Sequence, residues 1–199
     1  MSYSIIGFGH VGQALARAFA RKNMEVAVAS RRGPEALAPQ AKAIGPTVVP
    51  RTLHEAVEAD TIILAVPFWG HRAVAKTLAS WEGKTVIDAT NAFGVPVADL
   101  DGLPSSAVVA KAFADARFVK GFNHLPAETL AADPKVEGGR RVVFLSSDDD
   151  SAVGPVASLA ERLGFAPIAL GKLNEGGALV QARGRAWTRL IFQDLVKPA

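Results

Sequence analysis

Apolar positions along the chain change period again and again. Short runs rich in Val, Ile, Leu and Ala stand at 3–8, 25–30, 47–49, 61–66, 84–90, 117–122, 141–146 and 166–170. Each has the length and composition of a strand. The intervening segments carry a helical period instead. Val11, Ala14, Leu15, Ala18 and Phe19 fall at i, i+3, i+4, i+7 and i+8, one apolar stripe from which Arg17, Arg21 and Lys22 are excluded. The same spacing predicts a helix over 68–80 with Val74, Leu78 and Trp81, and another over 149–163. Asp148, Asp149 and Asp150 open the latter, as suits the unpaired N–H groups of a helix start. A long helix over 173–197 closes the chain, with Val180, Trp187, Leu190, Ile191 and Leu195 on one side and Arg183, Arg185 and Arg189 also on it.

Strands alternating with helices from end to end define the α/β class and predict a doubly wound, mostly parallel sheet. The longest irregular stretch, 91–104, follows the strand at 84–90. It therefore begins beyond the carboxyl end of a strand, where such sheets bind ligands.

The first strand runs into Gly7-Phe8-Gly9-His10-Val11-Gly12 and then into the first amphipathic helix. GxGxxG alone is a weak pattern, but strand, turn and helix in this order make it the dinucleotide fingerprint of a Rossmann NAD(P)-binding fold. Gly7 permits the tight turn, Gly9 lets a pyrophosphate approach the backbone, and Gly12 lets helix and strand pack closely. Cofactor choice is read at the end of the second strand. NAD enzymes carry Asp or Glu there, whereas this strand ends in Ser30-Arg31-Arg32. A hydroxyl and two guanidiniums suit a 2'-phosphate, so the cofactor is expected to be NADP(H).

Composition narrows the rest. Of 199 residues, 49% are hydrophobic and 21% charged, which is ordinary globular usage. The expected organisation is an NADP-binding domain over 1–125 and a small C-terminal α/β extension over 126–199 ending in the long helix. The extension packs on the same sheet, on the substrate side and the side of a homodimer contact. The chain has no cysteine, so disulfides and thiolate chemistry are excluded. The amino terminus lacks an export signal, and no apolar run reaches the roughly 20 residues that cross a bilayer. A cytoplasmic protein without membrane partners is expected. A net charge of +3, with both signs interspersed, argues for a small anionic molecule over nucleic acid. No metal motif is present: adjacent aspartates at 148–150 point in different directions.

Together with Ala65-Val66-Pro67, Asp88-Ala89-Thr90-Asn91 and Lys120-Gly121-Phe122-Asn123-His124, these motifs resemble those of the deazaflavin-dependent NADP reductases. The resemblance spans essentially the whole chain, including Gly171-Lys172-Leu173-Asn174. It implies hydride transfer between NADP(H) and a stacked flavin- or deazaflavin-like co-substrate. Gly7, Phe8, Gly9, His10, Val11 and Gly12 would then form the pyrophosphate turn, with His10 and Val11 acting through backbone N–H groups. Ser30, Arg31 and Arg32 would hold the 2'-phosphate. Ala65, Val66, Pro67 and Asn91 would border the nicotinamide ribose, while Gly121, Phe122 and Asn123 would lie near the carboxamide.

His124 is the candidate acid, being a histidine just past a strand end. If it donates a proton, the acceptor is a small carbonyl or imine; if it only borders the site, the flavin-like acceptor stands. A non-catalytic NADP(H) sensor has the same fingerprint. His54 and His71 read as surface helix residues, and Trp69, after Pro67, as a surface on which a planar substrate could stack.

Overall fold

The computed structural model describes residues 1–181 and 195–198. It has one sheet. Six parallel strands carry the amino-terminal part: β1 (Tyr3–Ile6), β2 (Val26–Ala29), β3 (Val48–Pro50), β4 (Thr61–Leu64), β5 (Thr85–Asp88) and β6 (Arg117–Gly121). Their spatial order is β3-β2-β1-β4-β5-β6, with a reversal of winding between β1 and β4. β8 (Gly139–Ser146) continues the sheet antiparallel to β6 and pairs in parallel with β9 (Ala166–Ala169). All eight strands expected from the sequence form. Two short ones were not anticipated: β7 (Lys135–Val136) and β10 (Val196–Pro198), both antiparallel to β8.

Successive residues of a strand point to opposite faces, and here both faces are covered. Ile5, Val28, Ile63, Ile87, Val119 and Val143 join one core with α1 (His10–Arg21), α2 (Pro34–Ile44) and α7 (Asp150–Arg162). Ile6, Ala29, Ile62, Leu64, Val86 and Phe118 join the other, under α4 (His71–Ala75) and α5 (Ser105–Ala112). The α1 stripe behaves as its period requires, with Ala14, Leu15, Ala18 and Phe19 buried. Asp149 caps α7 by accepting from Ser151 N at 2.9 Å. α3 (Leu53–Ala56) and α6 (Ala127–Ala131) complete the amino-terminal and middle connections.

Two helices differ from expectation. The segment 68–80 begins as a 3₁₀ turn, Phe68–Gly70, and α4 ends at Ala75. Instead of another helical turn, the Trp81 indole donates to the Ala75 carbonyl at 2.9 Å and its ring meets Phe113 edge-on at 4.8 Å. The long helix expected over 173–197 is not formed at either described end. Among the described residues of that span, only α8 (Gly176–Leu179) is helical, and Val196–Pro198 is strand. Two glycines are poor helix formers, and Gly139 lies so close to the backbone of Lys197 that a Cβ there would sit 2.1 Å from its carbonyl oxygen. Trp187, Leu190, Ile191 and the three arginines fall outside the described residues.

Phe19 is fully buried and packs on Tyr3 at 5.4 Å between ring centroids. Phe19→Ala should cost about 3–5 kcal/mol in a denaturant titration, because the surrounding sheet cannot collapse into the space.

Candidate functional site

The turn after β1 is built on two backbone contacts that no side chain allows. Gly7 has φ +102°, and a Cβ on it would lie 2.3 Å from the Ala65 carbonyl oxygen. A Cβ on Gly12 would lie 1.9 Å from the Gly7 carbonyl oxygen. Helix α1 therefore starts directly against β1 and the end of β4. Gly9 is the opposite case: it is exposed, and a Cβ there would meet nothing within 4 Å. That open cradle at the amino terminus of α1, where His10 and Val11 begin the helix, fits an anionic pyrophosphate. Phe8 points away from it into the core, 2% exposed.

One strand over, Ser30-Arg31-Arg32 follows β2. Ser30 Oγ accepts from Arg32 N at 3.2 Å, and Arg32 is held by Gln40 Oε1 at 3.2 Å. Arg31 is exposed and makes no hydrogen bond or ion pair with the described residues. No carboxylate occupies 30–33.

On the other side of β1 the strand ends of β4, β5 and β6 gather Ala65, Val66, Pro67, Asn91, Gly121, Phe122 and Asn123. Pro67 is exposed, while Ala65 and Val66 are half-buried beside Gly7. Asn91 and Asn123 bind one another across the two turns: Asn91 Nδ2 donates to the Asn123 carbonyl at 2.7 Å, and Asn123 Nδ2 to Asn91 Oδ1 at 3.1 Å and to the Val180 carbonyl at 2.7 Å. Gly121 admits no Cβ without moving Leu145, 2.8 Å away. Phe122 is fully buried at φ +59°, a conformation that costs a non-glycine residue about 1–3 kcal/mol and persists only where its surroundings hold it. Asn123 Oδ1 and Thr90 Oγ1 are buried without a partner. Orphaned acceptors on these neighbouring turns fit a ligand that donates N–H groups, such as a carboxamide.

Sequence reasoning gave no role to what lies beneath. Asp88 and Lys120 are register partners on β5 and β6, both fully buried, with Nζ to Oδ2 at 2.9 Å. Lys120 also donates to the Thr90 carbonyl, and Asp88 Oδ1 accepts from Thr90 N at 2.9 Å. The signal was available: each of two apolar strands carries one charge near its carboxyl end, and the signs are opposite.

The histidines differ from one another. His54 and His10 are exposed. His71 is not the surface residue expected; it is 1% exposed, with Nδ1 bonded to the Phe68 carbonyl, because the 3₁₀ turn folds its ring onto Phe68. Burial lowers its pKa, opposed first by the bond to the Phe68 carbonyl and then by the Asp88 charge. His124 is 6% exposed against Phe144, ring centroids 4.9 Å apart, and neither ring nitrogen makes a well-formed hydrogen bond. Burial pushes its pKa down to about 4, against a weaker opposing contribution from the Val142 backbone. At neutral pH it is an uncharged imidazole. Among the described residues no helix is long and apolar enough to cross a membrane, and no three His, Cys, Asp or Glu group as metal ligands.

Residues 2–92 match the family model described as NADP oxidoreductase, coenzyme F420-dependent. A hypothetical protein of Sinorhizobium meliloti is 38% identical, with a TM-score of 0.90 over 99% of this chain and 96% of that one. A putative F420-dependent NADP reductase from Arthrobacter is 26% identical, with a TM-score of 0.70 over 87% and 86% of the two chains. The metalloreductase STEAP2 of Mus musculus is 31% identical over 183 residues, 87% of this chain. The chain spans about a third, 34%, of that relative's length. By class, then, the protein is an NADP-dependent oxidoreductase on a doubly wound α/β fold. It belongs to one family with the Sinorhizobium protein along its whole length, and its residues 2–92 match the model described as NADP oxidoreductase, coenzyme F420-dependent.

Two outcomes follow from this geometry. Gly9→Val, which fills open space, should leave the melting temperature within a few degrees and abolish NADPH binding by calorimetry, whereas Gly12→Val should fail to fold. His124 has a folded pKa below its ordinary value, so the unfolded chain binds the extra proton between about pH 6.5 and 4. Its contribution is complete above that window and is lost as pH falls through it, on the order of 3 kcal/mol. His124→Phe should flatten the fall in denaturant midpoint across that range.

Proposed function

We propose that the protein transfers hydride from NADPH to a planar flavin- or deazaflavin-type acceptor. The state of His124 carries this reading. Reducing a carbonyl or imine calls for a positioned proton donor. An imidazole that is neutral at pH 7, buried and packed on Phe144 is a poor one. Hydride transfer between two stacked rings asks only for their alignment.

The chain's own residues divide that task. Ser30, Arg31 and Arg32 hold the 2'-phosphate, and the N–H groups of His10 and Val11 the pyrophosphate, with Gly7, Gly9 and Gly12 shaping the turn. Val66, Pro67 and Asn91 border the nicotinamide ribose, and Thr90 Oγ1 and Asn123 Oδ1 accept from the carboxamide. Bound NADPH supplies the hydride, and the proton that completes reduction of the acceptor comes from solvent. Trp69, half-buried with Arg72 stacked 4.0 Å over its ring, gives the crevice an aromatic surface beside Pro67.

Loss of nicotinamide absorbance, followed with FMN, a deazaflavin and a panel of carbonyls and imines, tests the reading. Turnover is expected with the ring acceptors, and His124→Ala should keep its rate. Turnover confined to carbonyls or imines, or saturable binding with no turnover, overturns it. Arg31→Ala should weaken NADPH about tenfold and leave NADH nearly unchanged, since one charge-assisted bond is worth about 1.5–3 kcal/mol. Equal losses would remove Arg31 from the phosphate site.

A further inference from the structure

We propose that the buried Asp88–Lys120 pair is a positioning device that locks the turns after β5 and β6 together and so aligns the nicotinamide half of the cofactor. The proposal rests on the reading that these turns face the nicotinamide.

Its geometry is that of a brace. The two charges stand opposite one another in the register of neighbouring strands, 2.9 Å apart and fully buried. Neither stops at its partner. Asp88 takes the N–H of Thr90 and Lys120 reaches the Thr90 carbonyl, so both ends of that peptide segment are tied to side chains from two strands. Immediately beyond, Asn91 is bound to Asn123 in both directions. Between Lys120 and Asn123 the chain makes its sharp bend, with Gly121 against Leu145 and Phe122 at φ +59°. A strained bend needs a fixed point on each side. Lys120 supplies one and the Asn91–Asn123–Val180 bonds the other. Because the pair lies below the turns, it acts on the site only through Thr90, Asn91 and Asn123.

An apolar pair of like volume would hold the strands together at least as well as the ions do. What it would not reproduce is the grip on both sides of Thr90. The role proposed here is therefore separable from stability.

The test uses Lys120→Met and the double variant Asp88→Asn/Lys120→Met, the second avoiding an unpaired buried carboxylate. Calorimetry with NADPH and with 2',5'-ADP, which has the adenosine half and no nicotinamide, reads the two ends of the site separately. If the brace positions the nicotinamide end, both variants bind NADPH about tenfold more weakly, bind 2',5'-ADP like the wild type, and lose about a hundredfold in kcat where turnover is measured. Equal weakening of both ligands, or a lowered melting temperature with unchanged NADPH affinity, overturns the proposal and leaves the pair a structural one. If the single variant does not fold, the double variant decides between the same outcomes. Failure of the wild type to bind 2',5'-ADP overturns the cofactor reading itself, and the proposal with it; normal 2',5'-ADP binding with no difference between the variants and the wild type overturns the proposal alone.

Discussion

Everything in this molecule is arranged around a place where backbone meets backbone without room for one carbon atom. The Gly12 Cα faces the Gly7 carbonyl, and Gly7 in turn abuts Ala65 at the end of β4. Close-packed interiors do not relax by an ångström to admit a Cβ. That contact sets the start of α1 at the point where the winding of the sheet reverses between β1 and β4. The unpaired N–H groups of the helix then open onto the crevice, and the strand ends of β2 on one side and of β4, β5 and β6 on the other become its two walls.

The walls are built in contrasting ways. Toward β2 the polar groups are exposed and long: Arg31 has no partner among the described residues, and the Arg32 guanidinium donates to Gln40. Toward β5 and β6 they are buried and short-ranged, with a fully desolvated ion pair, crossed amides and a residue at positive φ. Burying two charges costs several kcal/mol each before their attraction and their additional hydrogen bonds are counted. Apolar residues at 88 and 120 would avoid that cost, so the pair's presence calls for a purpose beyond cohesion.

Much of this was legible in the sequence because the relevant signals are local. Strand period, the α1 stripe, the glycine turn and the missing carboxylate at 30–33 each lie within a short window, and the structure places them accordingly. What could not be read depends on contacts distant along the chain. His71 looked exposed on a helix, but the helix gives way to a 3₁₀ turn that lays the ring on Phe68. β10 is a strand because Gly139, 57 residues earlier than Val196, admits it. The apolar spacing over 173–197 fits one long helix, whereas at the described ends of that span the chain forms the short α8 and the β10 strand paired with β8. Asp88 and Lys120 were visible individually; only the strand register makes them one feature.

With the cofactor placed as proposed, the asymmetry of the two walls follows from what each end of a dinucleotide demands. A phosphate far from the reacting carbon contributes binding energy whether or not it sits within a fraction of an ångström, and flexible guanidiniums can gather it from solvent. The reacting end is different, because a ring misplaced by about 1 Å can lose a hundredfold in rate. Precision there has to be present before the ligand arrives, and in a folded chain it comes from groups that have no alternative conformation. A lysine whose stem and head are both buried, held by a carboxylate and a carbonyl, is such a group. His124, buried beside the same strand end and neutral, adds shape there without adding charge. Rigid geometry at one end and adaptable charge at the other are thus two solutions to one problem, and the unyielding glycine contact at β1 is the fixed point between them.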